Sequence, residues 1–222
     1  MASENRSGCF RAFIVSVLVV FGVAVALAVV IYMKAGDIGR SVAAFGLEHG
    51  VEAIVNELQF PKDEADSILT TVKALAARIK SGEVSAEQAK TVLGELMSSN
   101  FVQILLIRGF EVSHLKNSAL AAEEKERGRQ DAERFMQGLI QKKIPAEALR
   151  RLEGIIVERK GVTGSSPGSQ NIKSKLTDAE VQQAIQIMKE EADKAQIPMA
   201  LEKVDFAKEL QSIVDTGLKE KK

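Results

Sequence analysis

One stretch of the sequence constrains the fold more than any other: residues 12–33, AFIVSVLVVFGVAVALAVVIYM. It contains no charged residue, no proline and no amide side chain. As a helix rising about 1.5 Å per residue, it would be roughly 33 Å long, enough to cross a hydrocarbon core of about 30 Å. A buried helix of a globular domain does not need an apolar surface on every side. The stretch therefore predicts a membrane-spanning helix.

A cleavable secretion signal is the alternative interpretation of this stretch. Such signals have an apolar core of about 7–15 residues followed by a small-x-small cleavage site. Residues 26–28, Ala-Leu-Ala, fit that rule, but the cut would fall inside the apolar run. We therefore interpret residues 12–34 as a retained anchor. The positions expected within the membrane include Phe13, Val20, Gly22, Ala26, Val30 and Tyr32.

Charges beside the anchor set its expected orientation. Arg6 and Arg11 precede it and Lys34 and Arg40 follow it, so the basic side chains are balanced. The α-amino group tips the balance towards a cytoplasmic N-terminus. We predict a single-pass protein of the cell membrane with an extracytoplasmic helical domain. The sole cysteine, Cys9, excludes an intramolecular disulfide and agrees with that location.

Composition indicates the class of the rest of the chain. Thirty basic residues balance thirty acidic ones, aromatic residues make up 5%, and tryptophan is absent. A neutral chain without a basic cluster argues against a nucleic-acid surface, so no nucleic-acid partner is predicted. Abundant Ala, Leu, Glu, Lys and Gln favour helices.

Apolar residues recur at helical spacing after the anchor. One such face comprises Leu47, Val51, Ile54 and Leu58. Pro61 is expected to open the next helix, and capping boxes predict helix starts at Ser85 and Thr177. Residues 101–112 predict a buried helix, with a strand at its start as the alternative. The predicted fold class is all-α: one N-terminal transmembrane helix followed by a soluble bundle of about six helices.

The helical pattern stops at residues 160–171, KGVTGSSPGSQN, which are rich in glycine and serine and typical of a linker. The chain is therefore expected to comprise five segments. They are a short N-terminal tail (1–11), the transmembrane anchor (12–34), a helical domain (35–160), a Gly/Ser-rich linker (161–175) and a C-terminal helical hairpin (176–222).

Sequence motifs for catalysis or metal binding are not apparent. The only histidines are His49 and His114, and neither has a cysteine nearby in sequence. His114 follows Glu111 by three residues, a spacing that allows contact on a helix, but a structural histidine is the simpler interpretation. The segment GVTGSSPGS lacks the lysine of a phosphate-binding loop. We predict no catalytic residue, no cofactor and no metal, and hence no enzyme.

These observations favour a membrane-anchored interaction or scaffold module. Its expected partners are the lipid bilayer and either another protein or further copies of the chain. Gly22 and Ala26, like Ala24 and Ala28, are small residues four apart, a spacing that lets membrane helices approach closely. The alternative is an extracytoplasmic sensor or ligand-binding domain that modulates a membrane partner.

Overall fold

The computed structural model describes residues 36–159, 170–173, 175–199 and 203–219. Across these residues the chain forms a helical bundle, as predicted, but with eight α-helices rather than about six. They are α1 (36–57), α2 (Lys62–Ser81), α3 (Ala86–Ser98), α4 (Phe101–Phe110), α5 (Ala122–Ile140), α6 (Ala146–Ile156), α7 (Asp178–Lys194) and α8 (Phe206–Leu218). A short antiparallel ladder joins strands β1 (Val157–Arg159) and β2 (Gln170–Ile172).

The residues predicted to span a membrane lie outside the described part of the chain. They include Phe13, Val20, Gly22, Ala26, Val30 and Tyr32. Within residues 36–159, 170–173, 175–199 and 203–219, no helix has both the length and the apolar character needed to cross a bilayer.

The helix boundaries follow local side-chain chemistry. Pro61 caps α2, and Gly82 ends it with a φ of 78°, a left-handed conformation that suits glycine. The Ser85 hydroxyl accepts the Gln88 N–H at 3.2 Å, and the Gln88 side chain accepts the Ser85 N–H at 2.9 Å. A second capping box starts α7 at Thr177. Both capping boxes predicted from the sequence are confirmed.

The most apolar stretch after residue 34 is helical, so its predicted helix is confirmed and the alternative strand is not formed. The helix differs from the predicted range of 101–112 at its end. The α-helical part stops at Phe110 and continues as a π-helical segment, Glu111–Leu115. Such π-helical turns are rare in α-helices and occur frequently at functional sites.

The first of two compact units comprises residues 36–102 and 205–219, and contains α1, α2, α3 and α8. In it, α8 packs against α2 and α3. A Cβ added at Gly217 would lie 2.5 Å from the Cα of Val92, so glycine allows α8 to approach α3 closely. A central apolar cluster comprises Leu75, Ile79, Val84, Val92 and Val214.

The second unit comprises the described residues from 103 to 204, in which α7 packs against α5 and α6. Its largest fully buried side chains include Phe135, Met136, Leu139, Leu152, Ile156 and Met188. The β1–β2 ladder pairs Val157 with Ile172 and Arg159 with Gln170. Strand β1 lies just before the predicted linker (161–175) and β2 lies within it; linker residues 161–169 and 174 lie outside the described chain.

The contacts differ from the predicted segment boundaries in one respect. Residues 176–222 were predicted to form a C-terminal helical hairpin, yet α7 and α8 belong to different compact units. The physical reason is that each helix buries its apolar face against other helices: α7 against α5 and α6, and α8 against α2 and α3. Proximity in sequence therefore does not determine the packing here.

Candidate functional site

An exposed apolar stripe runs along the first three described turns of α1. It comprises Ile38, Val42 and Phe45, which are 75%, 47% and 65% exposed. Their spacings of four and three residues place them on one side of the helix. Of the five large hydrophobic residues that are exposed in the described chain, three belong to this stripe. We call this surface the α1 stripe.

The same side of α1 becomes polar beyond Phe45. Continuing at the same spacing, the next residues are His49, Glu52 and Asn56, all of them exposed. The His49 ring lies 4.1 Å from the Phe45 ring between centroids, and its Nδ1 is 3.5 Å from a carboxylate oxygen of Glu52. The α1 stripe is thus confined to the part of α1 that lies next to the long apolar run in sequence.

The other side of α1 packs inside the first unit, as the sequence predicts. Val51, Ile54 and Leu58 are buried, while Leu47 is partly buried against the central apolar cluster. Because α1 already has a complete buried face, the α1 stripe is an additional apolar surface. A helix that is apolar on two sides normally uses the second side to contact something else.

The second unit contains the opposite anomaly, a carboxylate that is buried. Glu111, the first residue of the π-helical segment, is 5% exposed. One of its oxygens accepts a hydrogen bond from Arg108 Nη1 at 3.0 Å. The other oxygen, also buried, has no hydrogen-bond partner among the residues that the structure describes. Burial raises the pKa of Glu111 from 4.5 to about 7, although Arg108 opposes the rise.

Further charged groups surround Glu111. The negative charge of Glu133 on α5 raises the pKa of Glu111 further, and Arg129 lowers it. Glu133 itself accepts the backbone N–H of Val204, and burial raises the pKa of its carboxyl. His114 is also buried in the π-helical segment, with its ring centroid 6.2 Å from that of Phe110.

Other buried charges of this unit join helices through ion pairs and hydrogen bonds. The Arg134 side chain bonds Asp131 at 3.1 Å, Asp193 at 2.6 Å and the carbonyl oxygen of Ile197 at 2.7 Å. It thereby links α5 to the end of α7. Asp131 and Arg134 are three residues apart, a spacing that is equally common on a solvated helix face, but here both side chains are buried.

A third buried carboxylate, Glu191, links α6 to α7. Its Oε1 lies 3.0 Å from Arg151 and 2.6 Å from Lys194. Together with the Arg134 bonds, this contact shows that buried charges in the second unit are generally placed to join helices. Glu111 differs from them because, in the described chain, its second oxygen is buried away from solvent without a hydrogen-bond partner.

The buried charged groups of the second unit support few chemical roles. A carboxyl group that titrates near neutral pH can exchange a proton at physiological pH. In the part of the chain that the structure describes, no group of three or more His, Cys, Asp and Glu side chains is arranged to hold a metal ion. The surface with the clearest capacity for binding is therefore the α1 stripe, which offers apolar contact area.

Sequence reasoning identified neither the α1 stripe nor the buried state of Glu111. The stripe had a signal, because Ile38, Val42 and Phe45 follow the spacing of a packed helix face. Glu111 had a weaker signal, as an acidic residue within the most apolar stretch outside the predicted anchor. Neither a protein-family model, nor a curated protein sequence, nor a solved structure matches the chain.

Proposed function

We propose that the protein is a single-pass, membrane-anchored helical module that acts at the membrane by binding either another protein or further copies of the chain. Residues 12–34 form the anchor, the N-terminus lies in the cytoplasm, and the helical units lie on the extracytoplasmic side. We assign the chain a binding role because its sequence offers no set of nucleophile, base and orienting residue.

The observation that supports this proposal best is the α1 stripe. Ile38, the first residue of the stripe, follows the end of the apolar run by only five residues. Isolated exposed apolar residues are common on protein surfaces, but a contiguous apolar stripe marks an interaction site. An exposed binding stripe adjoining an apolar anchor is what a membrane-bound interaction module requires.

Alkaline carbonate extraction tests the anchor. The full-length chain should remain in the membrane pellet, because a spanning helix is held by hydrophobic burial that alkaline carbonate does not remove. The intact mass of the purified protein should include residues 12–33. Release into the supernatant, or a mature chain that begins at Val29 or Gly36, would contradict the proposal.

Cysteine labelling tests the orientation. In a Cys9→Ser background, a single cysteine at Ser165 should react with a membrane-impermeant maleimide on intact cells. The matched control keeps Cys9 as the only thiol, which should react only after lysis. The reverse pattern would place the helical units in the cytoplasm and leave the anchor itself unaffected.

A second candidate function is an extracytoplasmic sensor that modulates a membrane partner. The observation that favours it is Glu111, whose pKa of about 7 makes its charge depend on pH near neutrality. A sensor should transmit this change, so hydrogen exchange between pH 6 and 8 should differ well beyond residues 101–115. A change confined to that segment would leave the binding module as the better proposal.

A further inference from the structure

The two compact units repeat one internal plan at an interval of sixty residues. Helix α2 begins at Lys62 and α5 at Ala122, sixty residues later, and the same interval separates the starts of α3 and α6. The turns agree as well, because Gly82 and Lys142 both have a left-handed φ, of 78° and 56°. Within its own unit, each helix pair packs against one further helix, α8 in the first unit and α7 in the second. Such similarity at a fixed interval indicates two copies of one helical module.

Burial recurs at the same interval, with two exceptions in chemistry. Of the eleven buried residues between positions 51 and 98, ten have a buried counterpart sixty positions later. Eight of these ten counterparts are apolar residues or glycine, and examples are Leu75 with Phe135, Ile79 with Leu139 and Val84 with Ile144. The other two are Glu111 and His114, at the positions of Val51 and Ile54. Since the first copy fills both positions with apolar side chains, the packing of the module does not require polar ones.

The backbone also differs between the two copies at this place. Residues 51–55 are α-helical, whereas Glu111–Leu115 is π-helical. The N–H of Lys116 donates to the carbonyl oxygen of Glu111 at 2.9 Å, which is the hydrogen-bond spacing of a π-helix. Natural proteins depart from the ordinary rules of packing mainly at functional or strained sites. Two polar side chains and a rare backbone form therefore mark the π-helical segment as a specialised part of the second copy.

Contacts that do not involve the Glu111 side chain attach the π-helical segment to α5. Leu115 lies beside Gly128, where an added Cβ would be 3.3 Å from Leu115 Cδ1. At the end of the segment, Lys125 Nζ donates to the carbonyl oxygen of Lys116 at 3.2 Å. The charge of Glu111 can therefore change while the groups that hold the segment to α5 remain the same.

The charged groups around Glu111 compensate its ionised form only in part. From α4, Arg108 donates to one carboxylate oxygen at 3.0 Å, while the other oxygen is buried without a hydrogen-bond partner among the described residues. From α5, Arg129 attracts the ionised group and Glu133 repels it. His114 lies in the π-helical segment itself and is also buried. The balance favours the neutral carboxyl, because burial raises the pKa of Glu111 to about 7.

We propose that the π-helical segment is a proton-operated switch: it stays packed on α5 while Glu111 is protonated, and loss of that proton favours its local opening. Opening exposes the carboxylate to water, which stabilises the ionised form, so ionisation and opening promote each other. The switch deepens the second candidate function, the sensor, by naming its moving part, and rests on that function for its biological role. It does not depend on the proposed anchor.

Hydrogen exchange of the full chain in detergent at pH 6 and pH 8 tests the switch, with each rate corrected for the intrinsic effect of pH on exchange. Because the pKa of Glu111 rises from 4.5 to about 7 on folding, the opening of residues 111–115 should increase about tenfold between pH 6 and pH 8. The equivalent residues 51–55 of the first unit provide an internal control. They should show no such increase, since Val51 and Ile54 do not titrate.

Three variants assign the effect to Glu111. Glu111→Val introduces the residue of the equivalent position in the first unit and should abolish the increase. His114→Ile does the same for the second polar position and should preserve the increase. Glu191→Gln is the matched control, because Glu191 is equally buried, at 6%, but has two basic partners; it should also preserve the increase. Glu111→Gln, which is closer in shape, replaces Glu111→Val if that variant fails to fold.

The outcomes separate the switch from the proposed functions. Equal corrected exchange of residues 111–115 at the two pH values, or an increase that persists in Glu111→Val, would overturn the switch. Greater opening at pH 6 than at pH 8 would assign the titration to His114 and would also overturn it. An increase confined to residues 111–115 would support the switch and show that no signal is transmitted from it. Carbonate extraction of the same variants reports on the anchor separately.

Discussion

The α1 stripe and the environment of Glu111 violate the usual distribution of residues in opposite ways. The stripe places apolar side chains outside, and the π-helical segment places a charge inside. Burying one large apolar side chain stabilises a protein by about 1.5–3 kcal/mol, so an uncovered stripe forgoes several kcal/mol. Raising the pKa of Glu111 from 4.5 to about 7 corresponds to about 3 kcal/mol, which the fold must offset.

Both features lower the stability of the folded chain, but different events can remove the two costs. A second molecule can cover an exposed apolar stripe. Glu111 is only 5% exposed, and Arg108 offsets only part of its burial cost, so protonation is what removes the remaining cost. The stripe is therefore suited to binding, and the buried carboxyl is suited to a response to pH.

The largest loss of stability is expected on removing a buried phenylalanine, and a much smaller loss on removing the phenylalanine of the α1 stripe. Phe206 is 4% exposed, and its ring centroid lies 4.9 Å from that of Phe60. Phe206→Ala should lower the free energy of unfolding by about 3–5 kcal/mol. Phe45→Ala should change it by at most about 0.5 kcal/mol in the monomer. Urea denaturation of the full chain in detergent, followed by circular dichroism, measures both. A large loss for Phe45→Ala in the monomer would show that the stripe is part of the core.

A similar loss is expected where a buried charge loses its partner. Arg134→Met should destabilise the second unit by about 3 kcal/mol or more, because Asp131 would remain buried without its counter-ion. Adding Asp131→Asn should restore part of that loss, as shown by the same denaturation curves. If the double variant is no more stable than Arg134→Met, the pair does not act as a unit.

Glu111 should make stability depend on pH. Its pKa is raised in the folded state, so the folded protein binds a proton more tightly than the unfolded chain between pH 4.5 and about 7. The free energy of unfolding should fall by up to about 3 kcal/mol as pH rises through that window, and then level off. Glu111→Gln should remove this decline, and Arg108→Gln should extend it to higher pH. Denaturation curves at pH 5, 6, 7 and 8 test this. A decline that persists in Glu111→Gln would assign it to other groups.

The smallest losses of stability are expected on removing a helix-capping side chain, and they should be similar in the two units. Ser85→Ala in the first unit and Thr177→Ala in the second each remove a capping-box side chain. Each should cost about 1 kcal/mol, because one helix-terminal N–H loses its side-chain acceptor. Thermal unfolding in detergent measures the two losses. If one variant lost several times more than the other, the cap in that unit would have a role beyond local helix initiation.

Sequence reasoning succeeded where the signal is local. Pro61, Ser85 and Thr177 determine helix starts through their own backbone and side-chain geometry, and the apolar spacing of Val51, Ile54 and Leu58 identified a packed face. These features depend on residues only a few positions apart.

Sequence reasoning failed where the outcome depends on distant residues. The spacing of Asp131 and Arg134 is the same whether the pair is solvated or buried, and the contacts of Arg134 with Asp193 and Ile197 decide between the two. The second apolar face of α1 was missed because spacing alone does not reveal which of two faces is packed. Glu111 is buried by the surrounding fold, which its own neighbourhood in sequence does not specify.

The most direct test of the account is photo-cross-linking of the full chain in membranes. A photoreactive residue placed at Phe45, on the α1 stripe, should link the chain to a protein partner. The same residue at Met97, which is equally exposed on α3, should not. No cross-linked product at Phe45, or equal amounts at Phe45 and Met97, would contradict the claim that the α1 stripe is a binding surface.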